Sequence, residues 1–259
     1  MKYFSLMVFA FLSTGCTSVQ TNAPTIRVLT YNIHHGEGND QKIDLVRIAE
    51  IIKREKADIV ALQEVDRGVE RSARQDQPAE LAKLTGMKVY FARNIIYQGG
   101  DYGNAVLTRF PIQSKKNTHY RMLRTNEQRG VLQLLLDVHG KDLLFMNTHI
   151  DYRPDDAERF LNADELQGIV VAAKKTPIIL CGDFNTEPES RTHSKIKTFL
   201  SDSWEVIGEG NGFSFSSEKP QKRIDYIWIS PESVTPLKIK VLSSDASDHL
   251  PVLGEFRLK

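Results

Sequence analysis

The sequence predicts an α/β fold in which strands and helices alternate along one domain. Of its 259 residues, 41% are hydrophobic and 26% are charged, which is typical of a globular protein and excludes wholesale disorder. Short apolar segments of strand character alternate with segments whose apolar residues recur at helical spacing. No Gly/Ser-rich linker divides the chain, so we expect one domain over residues 26–259.

The first elements of this domain are the most clearly patterned. Residues 26–32 are rich in β-branched side chains and predict a strand. Residues 40–56 carry apolar residues near the 3.6-residue period, which predicts an amphipathic helix. Residues 58–63 predict a buried strand. Residues 76–85 predict a second helix, with a proline in its first turn and Gly86 just beyond its end.

The remaining elements follow from the same criteria. Strands are predicted at 88–93, 104–108, 130–138, 142–148, 177–182, 224–229, 236–242 and 251–258. Helices are predicted at 155–174 and 189–200. Long polar connections that contain glycine are candidates for substrate loops, and they lie at 67–75, 94–103 and 205–223.

Polar side chains gather where the apolar strands begin or end. They are Asn32, Glu64, His149, Asp183, Asn185, Asp225, Asp248 and His249. A strand that is covered on both faces buries its middle and presents polar residues at its tips. One such residue means little, but this many at successive strand tips indicates a common rim.

Each of these residue types has a chemical use. Glu64 is a hard oxygen ligand for a small divalent cation, and Mg²⁺ typically takes one or two carboxylates and leaves room for a substrate phosphate. Asp183 can orient or deprotonate a water, and Asn185 can donate to a phosphoryl oxygen. His249 can donate to phosphate if a carboxylate holds its other ring nitrogen, and Asp225 is the natural partner.

Seven short motifs resemble those of the endonuclease/exonuclease/phosphatase superfamily. They are TYN at 30–32, LQEVD at 62–66, GNAVLTRFPI at 103–112, NTHID at 147–151, GDFN at 182–185, RIDYIW at 223–228 and SDHLPV at 247–252. The resemblance covers about residues 26–258. It implies a four-layered α/β sandwich, with two mixed β-sheets face to face and helices outside. It also implies hydrolysis of phosphate esters by in-line attack of water on phosphorus.

The resemblance also assigns a role to each strand-tip residue. Glu64 becomes the main magnesium ligand, with Asn32 beside it and Asp248 on the metal side. The implied cofactor is Mg²⁺, with Mn²⁺ as a substitute.

The catalytic residues implied by the resemblance are five. Asp183 orients or activates the attacking water, and Asn185 holds a phosphoryl oxygen. His149 and His249 stabilise charge on the phosphorus centre, and Asp225 pairs with His249.

The sequence leaves the substrate class open. The first interpretation is a phosphodiesterase at the cell envelope, and the second is a phosphomonoesterase acting on a phosphorylated sugar or inositol. The third is a non-catalytic, lipid-anchored binding module, which the full set of site residues disfavours. The 34 Lys and Arg residues against 33 Asp and Glu residues give a net charge of +1, and no basic stripe with interleaved aromatic residues favours nucleic acid. We expect a monomer.

Four arginines are candidates to bind a second phosphate or an anionic head group. They are Arg67, Arg71, Arg93 and Arg129. Surface ion pairs with nearby acidic residues explain them equally well. His34, His35 and Glu37 follow the first strand, and they are compatible with either substrate contact or a solvated loop. We do not include those three in the predicted site.

The N-terminal segment has the pattern of a bacterial export signal. The second residue supplies a positive charge, residues 3–12 are almost entirely apolar, and small residues lead to Cys16. This end resembles the lipobox of bacterial lipoproteins, with Ser13 where a leucine is usual. We expect residues 1–15 to be a signal peptide, and residues 16–25 to be a tether that is lipidated at Cys16. The alternative is an ordinary cleaved signal peptide with an incidental cysteine.

A lipidated Cys16 would anchor the exported protein at the bacterial envelope, on the outer membrane or facing the periplasm. The second cysteine, Cys181, is the last residue of an apolar segment. We therefore expect it to be a buried strand residue without redox function.

Overall fold

Two six-stranded mixed β-sheets form the centre of the structure, a computed structural model that describes residues 23–125 and 127–259. The strands are β1 (Thr25–Asn32), β2 (Ile59–Arg67), β3 (Lys88–Tyr97), β4 (Gly100–Thr108), β5 (Ile112–His119), β6 (Gly130–Val138), β7 (Lys141–His149), β8 (Ile178–Asp183), β9 (Ser201–Asp202), β10 (Asp225–Ile229), β11 (Val234–Val241) and β12 (Val252–Leu258). The first sheet has the order β11-β12-β1-β2-β4-β3, and the second has the order β5-β6-β7-β8-β10-β9. The predicted signal peptide and Cys16 lie outside the described residues.

Helices cover the outer faces of both sheets. They are α1 (Leu45–Arg54), α2 (Gln77–Thr85), α3 (Ala157–Ala172), α4 (Arg191–Ile196) and α5 (Ser203–Ile207). Helices α1 and α2 pack on the first sheet, and α3 and α4 pack on the second. The predicted four-layered sandwich is therefore confirmed. Across the described ranges, no helix is long and apolar enough to cross a membrane.

The space between the sheets is largely apolar, with a buried polar bridge close to the predicted site. Val28 and Ile59 of the first sheet share a buried cluster with Phe145 of the second. In the middle of β2 and near the carboxyl end of β7, Gln63 Nε2 donates to Asn147 Oδ1 at 2.7 Å. The Asn147 amide donates in turn to backbone carbonyls of β2 and β4 at 2.8 and 2.9 Å. These buried bonds fix the two sheets against each other next to the predicted site.

Several predicted boundaries differ from the observed ones for local reasons. The helix predicted at 40–56 begins at Leu45, because the Asp44 side chain caps it by accepting from Val46 N at 2.9 Å. The segment 94–103, predicted as a substrate loop, is instead the hairpin that joins β3 to β4. Strand β5 was not predicted because its side chains are mostly polar and exposed, as is common at a sheet edge.

Other expectations agree with the structure. Helix α2 begins after an Asp76 cap and ends just before Gly86, which has a φ of 68°. That conformation costs glycine little, so the helix ends where the sequence predicts. Cys181 is a buried free cysteine on β8, as predicted.

Candidate active site

The strand register of the second sheet places three polar residues side by side at its rim. His149 on β7 pairs with Asp183 on β8, and Asp183 pairs with Asp225 on β10. Paired residues on neighbouring strands present their side chains on the same face. All three side chains are buried, so the row forms the floor of the site.

His249 lies over this row and is held by a carboxylate. Its Nδ1 is 2.9 Å from Asp225 Oδ2, which is the pairing expected from the sequence. The same Asp225 oxygen accepts a hydrogen bond from the buried Ser214 hydroxyl at 2.6 Å. Two partners thus fix Asp225, and Asp225 in turn fixes the imidazole of His249. The Nε2 atom of His249 lies 3.7 Å from Asp183 Oδ2.

The turn after β8 positions Asp183 and Asn185 together. The backbone N–H of Asn185 donates to Asp183 Oδ1 at 2.9 Å, and Asn185 has the left-handed φ of 45° that asparagine tolerates. The Asn185 amide lies 3.0 Å from His149 Nε2 and donates to the carbonyl of Ile150 at 3.2 Å. The two amide contacts fix the side chain that the sequence assigned to a phosphoryl oxygen.

Glu64 enters the site through a bulge in β2. The pairing of β2 with β4 shifts register between Leu62 and Val65, and Glu64 has a φ of 58°. A bulge redirects a side chain from the regular alternation of a strand. The half-buried Glu64 carboxylate consequently reaches Asn32 of β1, whose Nδ2 donates to Oε1 at 3.0 Å.

Asn32 joins the two halves of the site. Its Nδ2 also lies 3.0 Å from Asp183 Oδ2, and its Oδ1 accepts from His34 N at 3.1 Å. Its backbone carbonyl accepts from the Ser247 hydroxyl at 2.7 Å. In this arrangement the amide nitrogen faces the carboxylates, and the oxygen predicted to bind a metal is engaged by the backbone. The metal role of Asn32 stays a prediction.

Burial and neighbouring charges set the protonation of the central residues. Burial, reinforced by the charge of Asp225, raises the pKa of Asp183 to about 7 against the opposing effect of His249. Burial disfavours the charged form of His249, but Asp225 and Asp183 outweigh it and raise the pKa to about 10. Burial, with Arg129 and His249 nearby, holds the pKa of His149 well below its ordinary value. His249 is therefore a cation at neutral pH, and His149 is neutral.

The donor set around Glu64 fits a divalent cation. Carboxylate oxygens are the ligands that hard cations prefer, and the half-exposed Asp248 carboxylate lies on the same side. The arginines closest in sequence are engaged elsewhere, Arg67 with Asp101 and Arg71 with Asp66. Asn32 is the only hydrogen-bond partner of the Glu64 carboxylate within the described residues. A bound cation would compensate this negative charge.

A cleft of ≈ 710 Å³ opens above these residues. Arg71 and Arg129 line it, together with Tyr102 and Tyr152. Arg129 is buried and stacks on the Tyr152 ring, with 5.5 Å from its guanidinium carbon to the ring centroid. A larger groove of ≈ 810 Å³ lies beside α5 and β11, but none of the predicted site residues lines it. The chemistry therefore points to the smaller cleft.

The structure does not bring the other two candidate arginines to the cleft. Arg67 and Arg93 are exposed, and both pair with Asp101 at the β3–β4 hairpin. The Arg93 Nη1 to Asp101 Oδ1 distance is 3.2 Å. Arg67 and Arg93 therefore have the geometry of surface ion pairs, which is the alternative to substrate binding.

Sequence reasoning missed three residues of the site. Ser214 lies in a glycine-rich loop, and its contact with Asp225 has no local sequence signal. His34 and His35 are not among the predicted site residues, yet both bring a ring nitrogen near the Glu64 carboxylate. Their adjacency to the Asn32 strand tip was the available signal.

Comparison with known proteins agrees with this fold. The model of the Endonuclease/Exonuclease/phosphatase family matches residues 29–249. The chain belongs to this family. Its fold is therefore that of the class implied by the sequence motifs.

Individual relatives span most of the chain. The uncharacterized protein YbhP of Escherichia coli (strain K12) is 27% identical over 258 residues, covering 92% of this chain and 99% of that protein. A 5′-tyrosyl-DNA phosphodiesterase of Caenorhabditis elegans is 24% identical over 197 residues, covering 74% of this chain and 51% of that protein. A solved mannosyl-6-phosphatase from Bacteroides thetaiotaomicron has a TM-score of 0.75 at 21% identity, covering 89% of this chain and 99% of that one.

Proposed function

We propose that this protein hydrolyses phosphate esters by in-line attack of water, with phosphodiesters as the favoured substrates and Mg²⁺ as the cation. The observation that carries the proposal is the position of the Asp183 carboxylate. Its Oδ2 lies 3.0 Å from Asn32 Nδ2, 3.4 Å from His149 Nε2 and 3.7 Å from His249 Nε2. An acid–base group thus sits at the centre of a ring of polar groups that opens into a cleft.

Asp183 is suited to act on water. A general base works best with a pKa near the working pH, and that of Asp183 is raised to about 7. Charge added at Glu64 by a cation would favour the ionised carboxylate. Asp183 would align the attacking water and accept its proton as the new P–O bond forms.

The histidines and Asn185 are suited to the charge that develops on phosphorus. His249 is cationic and can donate from Nε2, because Asp225 holds Nδ1. The Asn185 amide donates to the Ile150 carbonyl and lies 3.0 Å from His149 Nε2, so binding a phosphoryl oxygen would exchange one of these contacts for a bond to substrate. Donors fixed before the reaction stabilise transition-state charge without reorganisation.

Glu64 would hold the cation, with Asp248 at its side. When bound, the cation supplies positive charge that offsets the negative charge of the transferring phosphoryl group. Arg71 and Arg129 would contact further negative groups of the substrate from the cleft wall.

A pair of chromogenic esters tests this function. Purified protein with Mg²⁺ should hydrolyse bis-p-nitrophenyl phosphate, and a chelator should abolish the activity. Faster hydrolysis of p-nitrophenyl phosphate would instead identify a phosphomonoesterase. Plasmid DNA is the third substrate. Nicking of the plasmid would show that nucleic acid is a substrate, which the sequence does not favour. No hydrolysis of any of the three would contradict the proposed activity on simple diesters.

The envelope location is proposed from the N-terminal sequence alone. A lipid chain contributes about 0.8 kcal/mol per buried methylene to membrane binding. Cys16→Ser should therefore move the protein from the membrane fraction to the soluble fraction of bacterial cells that express it. A variant that still pellets with membranes, or a wild type that is already soluble, would contradict a lipid anchor on Cys16.

A further inference from the structure

Two imidazole rings stand next to the Glu64 carboxylate. They belong to His34 and His35, in a short turn that follows β1 directly. One ligand atom from each histidine and one from Glu64 all lie within 4.8 Å of one another. The Nδ1 atom of His34 is also 4.0 Å from Asp248 Oδ1. The hydrolytic role proposed above uses neither ring.

The turn that carries these rings is firmly held. The φ angles of His34 and His35 are 44° and 45°, a left-handed conformation that is uncommon for residues other than glycine. The buried Gln77 side chain donates to the His35 carbonyl at 2.6 Å and accepts from Asp66 N at 2.9 Å. Gly36 has a φ of 84°, which favours glycine, and a Cβ there would come within 2.9 Å of the Leu45 side chain. The surrounding packing thus imposes the conformation of the turn.

The rings retain unused ligand atoms. His35 is only 7% exposed, and its Nδ1 has no hydrogen-bond partner among the described residues. A buried polar atom without a partner is costly unless something else satisfies it. His34 is half-buried, with 35% of its side chain exposed, and its ring faces the Asp248 carboxylate. Imidazole nitrogens of His34 and His35 and a carboxylate oxygen of Glu64 thus lie close enough together to bind one cation.

We propose that His34, His35 and Glu64 form a site for a borderline divalent cation of the Mn²⁺, Co²⁺ and Zn²⁺ class. Mg²⁺ takes oxygen ligands and keeps its waters, so imidazoles add little to its binding. Imidazole is a preferred ligand of Zn²⁺ and its transition-metal neighbours. The protein should therefore bind these cations more tightly than Mg²⁺. The inference rests on the proposed function through Glu64, which belongs to both sites.

Cobalt is the probe, because its visible absorption reports nitrogen ligands without any turnover. Co²⁺ and Mg²⁺ are titrated separately into the metal-free full chain, with calorimetry alongside the spectra. His34→Ala should weaken Co²⁺ binding at least about tenfold and change Mg²⁺ binding less than about twofold, since losing even an outer partner of a metal ligand costs 10–100-fold. His35→Gln should do the same, and its thermal melt controls for loss of the buried ring. His119→Ala is the matched control, because His119 is exposed on β5 and contacts Arg93 O.

Each result bears on the site. Equal Co²⁺ affinity in the wild type and in folded His34→Ala would overturn it, as would Co²⁺ binding no tighter than Mg²⁺. A raised KM with unchanged Co²⁺ affinity would make the histidines substrate contacts and would also overturn it. Histidine-dependent Co²⁺ binding without hydrolysis of any ester would support the site and contradict the proposed function. Mg²⁺-dependent hydrolysis with histidine-independent Co²⁺ binding would support the proposed function and contradict the site.

Discussion

At the scale of single residues, the site depends on where one carboxylate stands. Asp183 contacts Asn32 and Asn185 by hydrogen bonds. It also lies near the rings of His149 and His249. The sequence could indicate this residue because GDFN ends an apolar strand, and it could pair Asp225 with His249 by chemistry. It could not indicate Ser214, whose partner is 11 residues away in sequence and adjacent only in the fold.

Asp183→Asn should impair catalysis rather than binding. The variant keeps the shape and one acceptor oxygen, but it loses the charge that aligns the water and accepts its proton. General-base contributions are about 10²–10⁴ in rate. Steady-state kinetics should show kcat and kcat/KM falling together, with KM little changed.

A thermal melt on the same preparation is the control for this variant. If Asp183 only capped the turn before Asn185, the change would cost about 1 kcal/mol of stability. A lower melting temperature with kcat within a factor of about two would remove Asp183 from the mechanism.

Arg71→Gln should raise KM and leave kcat nearly unchanged. The Arg71 guanidinium is held by Asp66 and stacks on the rings of Tyr97 and Tyr102, so it is positioned before substrate binds. Loss of one such contact, about 1.4 kcal/mol, corresponds to a tenfold higher KM. Arg67→Gln is the matched control, because Arg67 pairs with Asp101 outside the cleft. Equal effects of the two substitutions would exclude a specific contact by Arg71.

At the scale of elements, irregular backbone places the chemistry. The bulge in β2 aims Glu64 at Asn32, and a register shift of this kind leaves no mark in the apolar pattern of IVALQ. Regular elements were more predictable. Helix α2 has a capping Asp76, an early proline and a terminal Gly86, and each fixes a boundary. Residues 94–103 predict a loop because the segment is polar and contains glycine, whereas the structure forms the β3–β4 hairpin there.

A buried charge cluster connects α4, the start of α5 and the segment that precedes β10. Asp202 lies 3.0 Å from His193 Nε2 and also pairs with Arg223, two residues before Asp225. Burial alone would raise the pKa of Asp202, but the bonds from His193 and Arg223 outweigh it and lower the pKa below its ordinary range.

This cluster predicts an acid-dependent loss of stability. A carboxyl whose pKa is lowered by folding stabilises the fold above its unfolded pKa of about 3.9, and that contribution is lost as pH falls through the folded value. Asp202→Asn should therefore lower the free energy of unfolding at pH 7 by about 3 kcal/mol or more. A lower melting temperature at pH 7 would report this loss. The difference from wild type should shrink below about pH 4. A difference that is independent of pH would contradict a charged role for Asp202.

At the scale of the whole molecule, the site exists only because two sheets meet. Asn32 and Glu64 come from the first sheet, and His149, Asp183 and Asp225 come from the second. Periodicity predicted the strands but not which sheet each joins, since long-range pairing leaves no local pattern. The family motifs supplied the layering. The Gln63–Asn147 bridge that holds the sheets in register became visible only in the structure.

The most direct test of a cation-dependent phosphoesterase is the activity of Glu64→Gln on bis-p-nitrophenyl phosphate over a range of Mg²⁺ concentrations. The substitution keeps the side chain's size at a half-buried position and removes the charge that would hold the cation. Glu70→Gln, at an exposed glutamate outside the cleft, is the matched control. Glu64→Gln should lose most activity at every Mg²⁺ concentration while its thermal melt and the control stay at wild-type values. Near wild-type activity of Glu64→Gln at saturating Mg²⁺ would contradict the assignment of Glu64 as the cation ligand.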